Sequence, residues 1–114
     1  MSFAPRPFQI ISLITPERIT VFVHGEIDMA IAPQLRDAIT GHLGHGSPTS
    51  IQLDLSGVTF MDSAGVHAML AAKRSARLRR RDLVLARSSP RVNRLLDLMG
   101  LESTFAVDPN ATVG

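Results

Sequence analysis

Ile51, Leu53 and Leu55 alternate with Gln52 and Asp54, and a few residues later the spacing of apolar side chains changes from two to between three and four. Alternation over two residues marks a half-buried strand, and recurrence at three and four marks an amphipathic helix. Between them, residues 56–62 read as a short loop that delivers Ser63 to the start of the helix. A strand that leads into a helix rejoins its sheet through a right-handed crossover, so the next strand lies parallel to it. That single transition commits the chain to an α/β architecture.

The same change of period organises the rest of the chain. Phe8 to Ile14 reads as a first strand, Thr15-Pro16-Glu17-Arg18 as a turn, and Ile19 to His24 as a second strand with Ile19, Val21 and Val23 on one face. The two are close enough to form a hairpin. Gly25 to Met29 reads as leaving the sheet. Pro33 suits the first turn of a helix, and Ile31, Leu35, Ala38, Ile39 and Leu43 form its apolar stripe. After a loop over 44–48 and the third strand, a helix is expected from Ser63 to about Leu78. Val66, Met69 and Leu70 face the sheet, and Ala72 and Ala76 permit close packing. Leu83 to Ala86 reads as a fourth strand. Ser89 is a good N-cap with Pro90 at the first helical position; Val92, Leu95, Leu96 and Met99 follow helical spacing, and Gly100 can end the helix. Thr104 to Val107 is a candidate final edge strand.

The expected order is β-β-α-β-α-β-α with that candidate last strand: a small mixed sheet of four to five strands and about three main helices. One domain is expected over residues 8–107. Flexible tails are expected at 1–7, which holds two prolines, and at 108–114.

An apolar fraction of 45% supports a real core, and with no Tyr or Trp that core must be aliphatic with a few Phe. The same absence leaves only a few Phe as aromatic platforms of the kind on which single-stranded nucleic acid usually stacks. There is no cysteine, which excludes disulfides and thiolate chemistry. No run approaches the ~20 apolar residues of a membrane span, and Phe8 to Ile14 makes a poor signal peptide; a soluble cytoplasmic protein is the expectation. The formal net charge is +2, yet Lys73, Arg74, Arg77, Arg79, Arg80 and Arg81 fall within nine residues. Such a run can bind nucleic acid or acidic lipid, or it can be the solvated C-terminal end of a helix, where cations favour the dipole.

Ser63 is the residue on which the chemistry turns. A hydroxyl at the start of a helix lies among N–H groups without helical partners, at the positive end of the dipole. That environment suits a phosphate, bound or covalently attached. The plainer alternative is that Ser63 is an ordinary first-turn residue, with Asp62 or Ser63 itself as the cap. Ala64 removes a neighbouring hydroxyl, so Ser63 is the only acceptor in this turn; Ser56 and Thr59 read as loop residues before the helix.

Three segments carry a family resemblance. Gly25-Glu26-Ile27-Asp28, the run Leu53-Asp-Leu-Ser-Gly-Val-Thr-Phe-Met-Asp-Ser-Ala-Gly65, and Ser89-Pro90-Arg91-Val92-Asn93-Arg94-Leu95-Leu96-Asp97-Leu98-Met99-Gly100-Leu101 together resemble the STAS domain of anti-sigma factor antagonists. Their order and separations fit over roughly residues 8–107. The resemblance implies helices packed mainly on one side of the sheet. It implies that Ser63 is phosphorylated by an anti-sigma factor that is also a serine kinase, that the unphosphorylated form binds this partner and frees a sigma factor, and that a phosphatase restores Ser63. It also implies that Asp28 helps the kinase bind or act; the alternative is an ordinary turn acid. Glu26, Met29, Asp62, Ala64, Gly65 and His67 complete the expected partner surface. His67 departs from the family, where a small residue is common. Four residues after Ser63, it shares that residue's helical face and could pair with a phosphate there, or be simply a partly exposed helix histidine.

Other chemistry has less support. Ser63, His67 and Asp62 lack the strained G-x-S-x-G elbow of a hydrolase, so no catalysis is expected. His42 and His45 lack a paired ligand motif, and no Gly-rich phosphate or dinucleotide loop is present, so neither metal nor cofactor is expected. Two rival roles remain. One is a non-switching scaffold subunit of a stress-sensing complex or a lipid-transport ATPase. The other is nucleic-acid binding through residues 73–81, with salt-dependent retention as its signature.

Overall fold

The computed structural model describes residues 8–44, 46 and 48–105. Four strands and three helices alternate: β1 (Phe8–Ile14), β2 (Arg18–Ile27), α1 (Ala32–Thr40), β3 (Ser50–Met61), α2 (Ser63–Leu78), β4 (Asp82–Ser88) and α3 (Pro90–Leu98). The strands form one sheet in the order β1-β2-β3-β4. β1 and β2 are an antiparallel hairpin, whereas β2, β3 and β4 run parallel through the two helical crossovers.

One face of this sheet builds the core. Ile19, Val21 and Val23 of β2, Ile51, Leu53 and Leu55 of β3, and Leu83 and Leu85 of β4 are all buried. They join a single apolar cluster with Leu35 and Ile39 of α1, Val66 and Met69 of α2, and Val92 and Leu96 of α3. Ala72 and Ala76 are buried completely, as close approach of α2 to the sheet demands. Each fully buried Leu, Ile or Val contributes roughly 1.5–3 kcal/mol of transfer free energy, so this cluster is the dominant stabilising feature.

The ends of the elements differ from the sequence expectation. β2 keeps Gly25 to Ile27 within the sheet, and β3 continues through Ser56 and Thr59 to Met61. The register explains why this was illegible. His24 pairs with Gly57 and Phe22 with Asp54; then Gly25 pairs with Val58 but Glu26 with Phe60. Between each of these steps β3 carries one extra residue, and each bulge reverses which face the following side chains take. Alternation is therefore scrambled over 56–61 although the backbone remains a strand. Gly57 sits at one irregularity because the His24 ring occupies the space a Cβ would need. Leu43 is buried beyond the end of α1 rather than within it. Thr104 and Phe105 lie in a turn closed by N–H bonds to the Leu101 carbonyl, at 3.1 Å each, instead of starting a strand. The sheet thus has four strands among the described residues. The expected tails at 1–7 and 108–114, residues 106 and 107, and His45 lie outside the described residues.

Candidate functional site

Because β2 and β3 are parallel, they deliver their C-terminal ends side by side. Glu26 lies opposite Phe60 and Ile27 opposite Met61, and the Asp62 amide donates to the Ile27 carbonyl at 3.3 Å. An aspartate follows each strand, and the two do similar work. The Asp28 carboxylate accepts from the amides of Ala30 (3.0 Å) and Ile31 (3.1 Å), and its carbonyl accepts from Ile31 and Ala32, closing the turn that opens α1. The Asp62 carboxylate accepts from the amides of Ala64 (3.0 Å) and Gly65 (3.3 Å) as the N-cap of α2. Two helices are thereby launched from neighbouring points.

Ser63 is the first residue of α2 and is exposed. The cap is Asp62, which decides between the two candidates left open by the sequence. It also corrects the expected setting of the hydroxyl: two of the amides at this helix start are already engaged by a carboxylate. Ser63 therefore projects from a capped terminus and not into a vacant amide nest. Its exposure leaves the hydroxyl accessible, and a phosphate on it would feel the dipole's attraction and the like charge of Asp62 together.

Gly65 is buried, and its place at the site is steric. A Cβ there would stand 2.6 Å from Met61 Cγ and 3.3 Å from Ile27 Cγ2. Glycine lets the first turn of α2 settle onto the strand ends. Glu26 and Asp28 are half-buried, whereas Met29 is 75% exposed.

Beside Ser63, α1 and α2 enclose an open groove of about 430 Å³. Met29, Ala32, Pro33 and Arg36 line one wall, and Ala64, His67, Ala68 and Ala71 the other. The structure thus brings Met29, Ala64 and His67 together, with His67 exposed at the groove's edge. Arg36, Ala32, Pro33, Ala68 and Ala71 were missed from sequence. A signal existed: Ala64, Ala68 and Ala71 recur at four and three residues, one face of a helix, and Ala32 and Arg36 are also four apart.

The basic run divides. Lys73 turns inward, its Nζ donating to the Leu83 carbonyl at 3.2 Å and lying 5.7 Å from the centre of the Phe105 ring. Burial, and then the nearby Arg77 charge, hold its pKa below the usual lysine value, with Asp82 pulling the other way. Arg81 donates to the carbonyls of Arg79 and Gly44. Arg74, Arg77, Arg79 and Arg80 are exposed around the C-terminal end of α2. That end lies about 24 Å along the helix from Ser63 at 1.5 Å per residue. His42 shares a 2.8 Å hydrogen bond with the Ser12 hydroxyl, and no group of three or more potential metal ligands occurs among the described residues. No helix among them is long and apolar enough to cross a membrane.

Comparison with known proteins places the fold. The anti-sigma-B factor antagonist of Listeria monocytogenes is 33% identical over 91 residues, which cover 80% of this chain and 79% of that protein. The crystal structure of an anti-sigma factor antagonist from Mycobacterium paratuberculosis superposes with a TM-score of 0.74 at 30% identity, covering 94% of this chain and 90% of the other. The chain is also similar to the anti-sigma factor antagonist SpoIIAA in its unphosphorylated form (TM-score 0.72, 26% identity, 91% and 90% covered) and to the Bacillus cell fate determinant SpoIIAA in the phosphorylated form (0.66, 25%, 91% and 93%). The family model described as the STAS domain matches residues 10–113, and the chain belongs to that family.

Proposed function

We propose that this protein is an anti-sigma factor antagonist whose affinity for its partner is set by phosphorylation at Ser63. The observation that carries the reading is the exposed Ser63 hydroxyl at the first position of α2, beside the α1–α2 groove, in a chain 33% identical to an anti-sigma-B factor antagonist. Unphosphorylated, the groove and the strand ends around Asp28 and Asp62 bind an anti-sigma factor that is also a serine kinase, and the sigma factor is released. The kinase moves the terminal phosphoryl group of ATP to Ser63 Oγ, leaving ADP and a proton. The added charge, about −1.5 to −2 at neutral pH, falls within the docking surface. A charge left unpaired in an interface costs several kcal/mol, and each 1.4 kcal/mol is tenfold in affinity. One phosphate is therefore enough to break the complex while the core stays intact. A phosphatase resets Ser63.

Within this reading the chain is a substrate and binding module, acting in the cytoplasm. Lys73 and Arg81 are engaged internally, and the exposed arginines lie at the far end of α2, so no direct nucleic-acid contact is assigned to them.

The experiment combines the purified protein with the anti-sigma factor kinase of its own host and ATP, and reads intact mass and complex formation. One phosphoryl group on the wild type, none on Ser63→Ala, and a complex weakened by phosphorylation are expected. Binding without phosphate, or phosphate at another residue, overturns the switch and favours a scaffold role.

A further inference from the structure

The two edges of the sheet differ in kind. β4 carries the exposed charges of Asp82 and Arg87. β1 reads FQIISLI, with no charge, proline or glycine. The outward N–H and C=O groups of an edge strand template pairing with another chain, and native proteins usually blunt such edges with charged residues, proline, bulges or very short strands. β1 has none of these devices over seven residues. Its Ile11, Leu13 and Ile14 are 46%, 43% and 61% exposed, half of the six large apolar side chains exposed among the described residues.

We propose that β1 pairs antiparallel with β1 of a second copy of this chain, about a two-fold axis at Ile11, to give a continuous eight-stranded sheet. The strand's own sequence accommodates this occupant without conflict. The axis sets Ile11 against its copy, Ile10 against Ser12, Gln9 against Leu13 and Phe8 against Ile14, so every residue of β1 is paired and no like charges meet. Moving the axis by one residue leaves two residues of each β1 without a partner in the other. The faces match as well. Ile11 lies opposite Phe22 and Leu13 opposite Thr20 within the hairpin, on the side of the sheet away from Val21 and Val23. In the dimer the two copies of Ile11 meet on that side, while Ser12, tied to His42, stays on the helical side. Both helical layers then lie on the same side of one sheet. A single strand pair buries less than the roughly 1,200–2,000 Å² of a standard interface, so dissociation in the micromolar range is expected. The inference is independent of Ser63, whose phosphorylation it neither needs nor predicts.

Sedimentation of the full chain from about 1 μM to 1 mM tests it, at concentrations that bracket a micromolar constant. A monomer–dimer equilibrium is expected, and Ile11→Lys, checked for folding by circular dichroism, should weaken it at least about tenfold by setting like charges face to face. Because the chain has no cysteine, register is tested directly. Opposed Cα atoms in an antiparallel pair lie about 4.5–5.5 Å apart, within disulfide range, so Ile11→Cys should cross-link on mild oxidation. Gln9→Cys, offset by four residues from its own copy, should not. A monomer at every concentration, a dimer indifferent to Ile11→Lys, or equal cross-linking of the two cysteine variants overturns the proposal.

Discussion

The amide of Asp62 reaches the carbonyl of Ile27 at 3.3 Å, tying together two parallel strands at the point where each gives way to a helix. The same residue's carboxylate caps α2. Asp62 thus belongs to the framework that holds Ser63 in place. Asp62→Ala removes the acceptor for two amides and should cost about 1 kcal/mol, read as a lower unfolding midpoint in urea. Asp62→Asn keeps an oxygen on the same geometry and should lose markedly less. Equal stability of Asp62→Ala and the wild type would refute the capping role.

Ser63 makes the opposite prediction. It is exposed, and its neighbour already supplies the cap. Ser63→Ala should therefore change stability by no more than about 0.5 kcal/mol, as surface substitutions do, while abolishing phosphate incorporation. Ser63→Asp should weaken binding of the anti-sigma factor at least tenfold with the fold unchanged. Strong binding by Ser63→Asp would argue that charge at this position does not control the complex.

Long, regular elements were legible because their period is intact. The start of α2 at Ser63 and the Ser89-Pro90 start of α3 follow from helical spacing, capping residues and proline placement, and β1 is an apolar run that ends at the Thr15-Pro16 turn. The strand over 56–61 was not legible, because two extra residues in β3 break the alternation on which any such reading depends. The candidate site divides along the same line. Ser63 and Asp62 stand out locally, but the groove exists only once α1 and α2 are side by side; the spacing of Ala64, Ala68 and Ala71, and of Ala32 and Arg36, places each set on one helix face without showing that the two faces meet.

Gly65 provides a test of the junction itself. Helix propensity favours Ala over Gly by about 1 kcal/mol, but the new Cβ would press on Met61 Cγ, and overpacking typically costs 1–3 kcal/mol. Gly65→Ala should be net destabilising in the wild type and neutral or stabilising in a Met61→Ala background. Thermal unfolding of the four proteins of this cycle measures the coupling. Additive effects would show that Met61 is not what excludes a side chain there.

If the partner docks in the α1–α2 groove, filling the groove should block it without harm to the core. Ala64 is half-buried on the groove wall in the first turn of α2. Ala64→Leu should lower affinity for the anti-sigma factor at least tenfold, with stability changed by less than about 1 kcal/mol as for most surface substitutions. Arg36→Ala and His67→Ala, on opposite walls, should each weaken binding less than this. Isothermal titration of all three variants would detect a partner that docks elsewhere, since none would then lose affinity.

Lys73 couples the far end of α2 to pH. Its ammonium lies against Leu83 and Phe105, and burial followed by the Arg77 charge lowers its pKa below the ordinary 10.5, with Asp82 opposing. The folded chain therefore gives up this proton more readily than the unfolded chain. Between the folded pKa and 10.5 the unfolded state holds more protons, so the lysine's contribution to stability rises with pH across that window. Below the window its penalty is constant. Lys73→Met removes the titration while keeping an unbranched apolar stem. Urea unfolding from neutral pH to pH 10.5 should show wild type gaining on Lys73→Met as pH rises. The gain should be small, because the ammonium retains contact with water. A difference that stays flat would mean that burial does not disfavour the charged form, and one that falls would mean that the Leu83 carbonyl and Asp82 outweigh it.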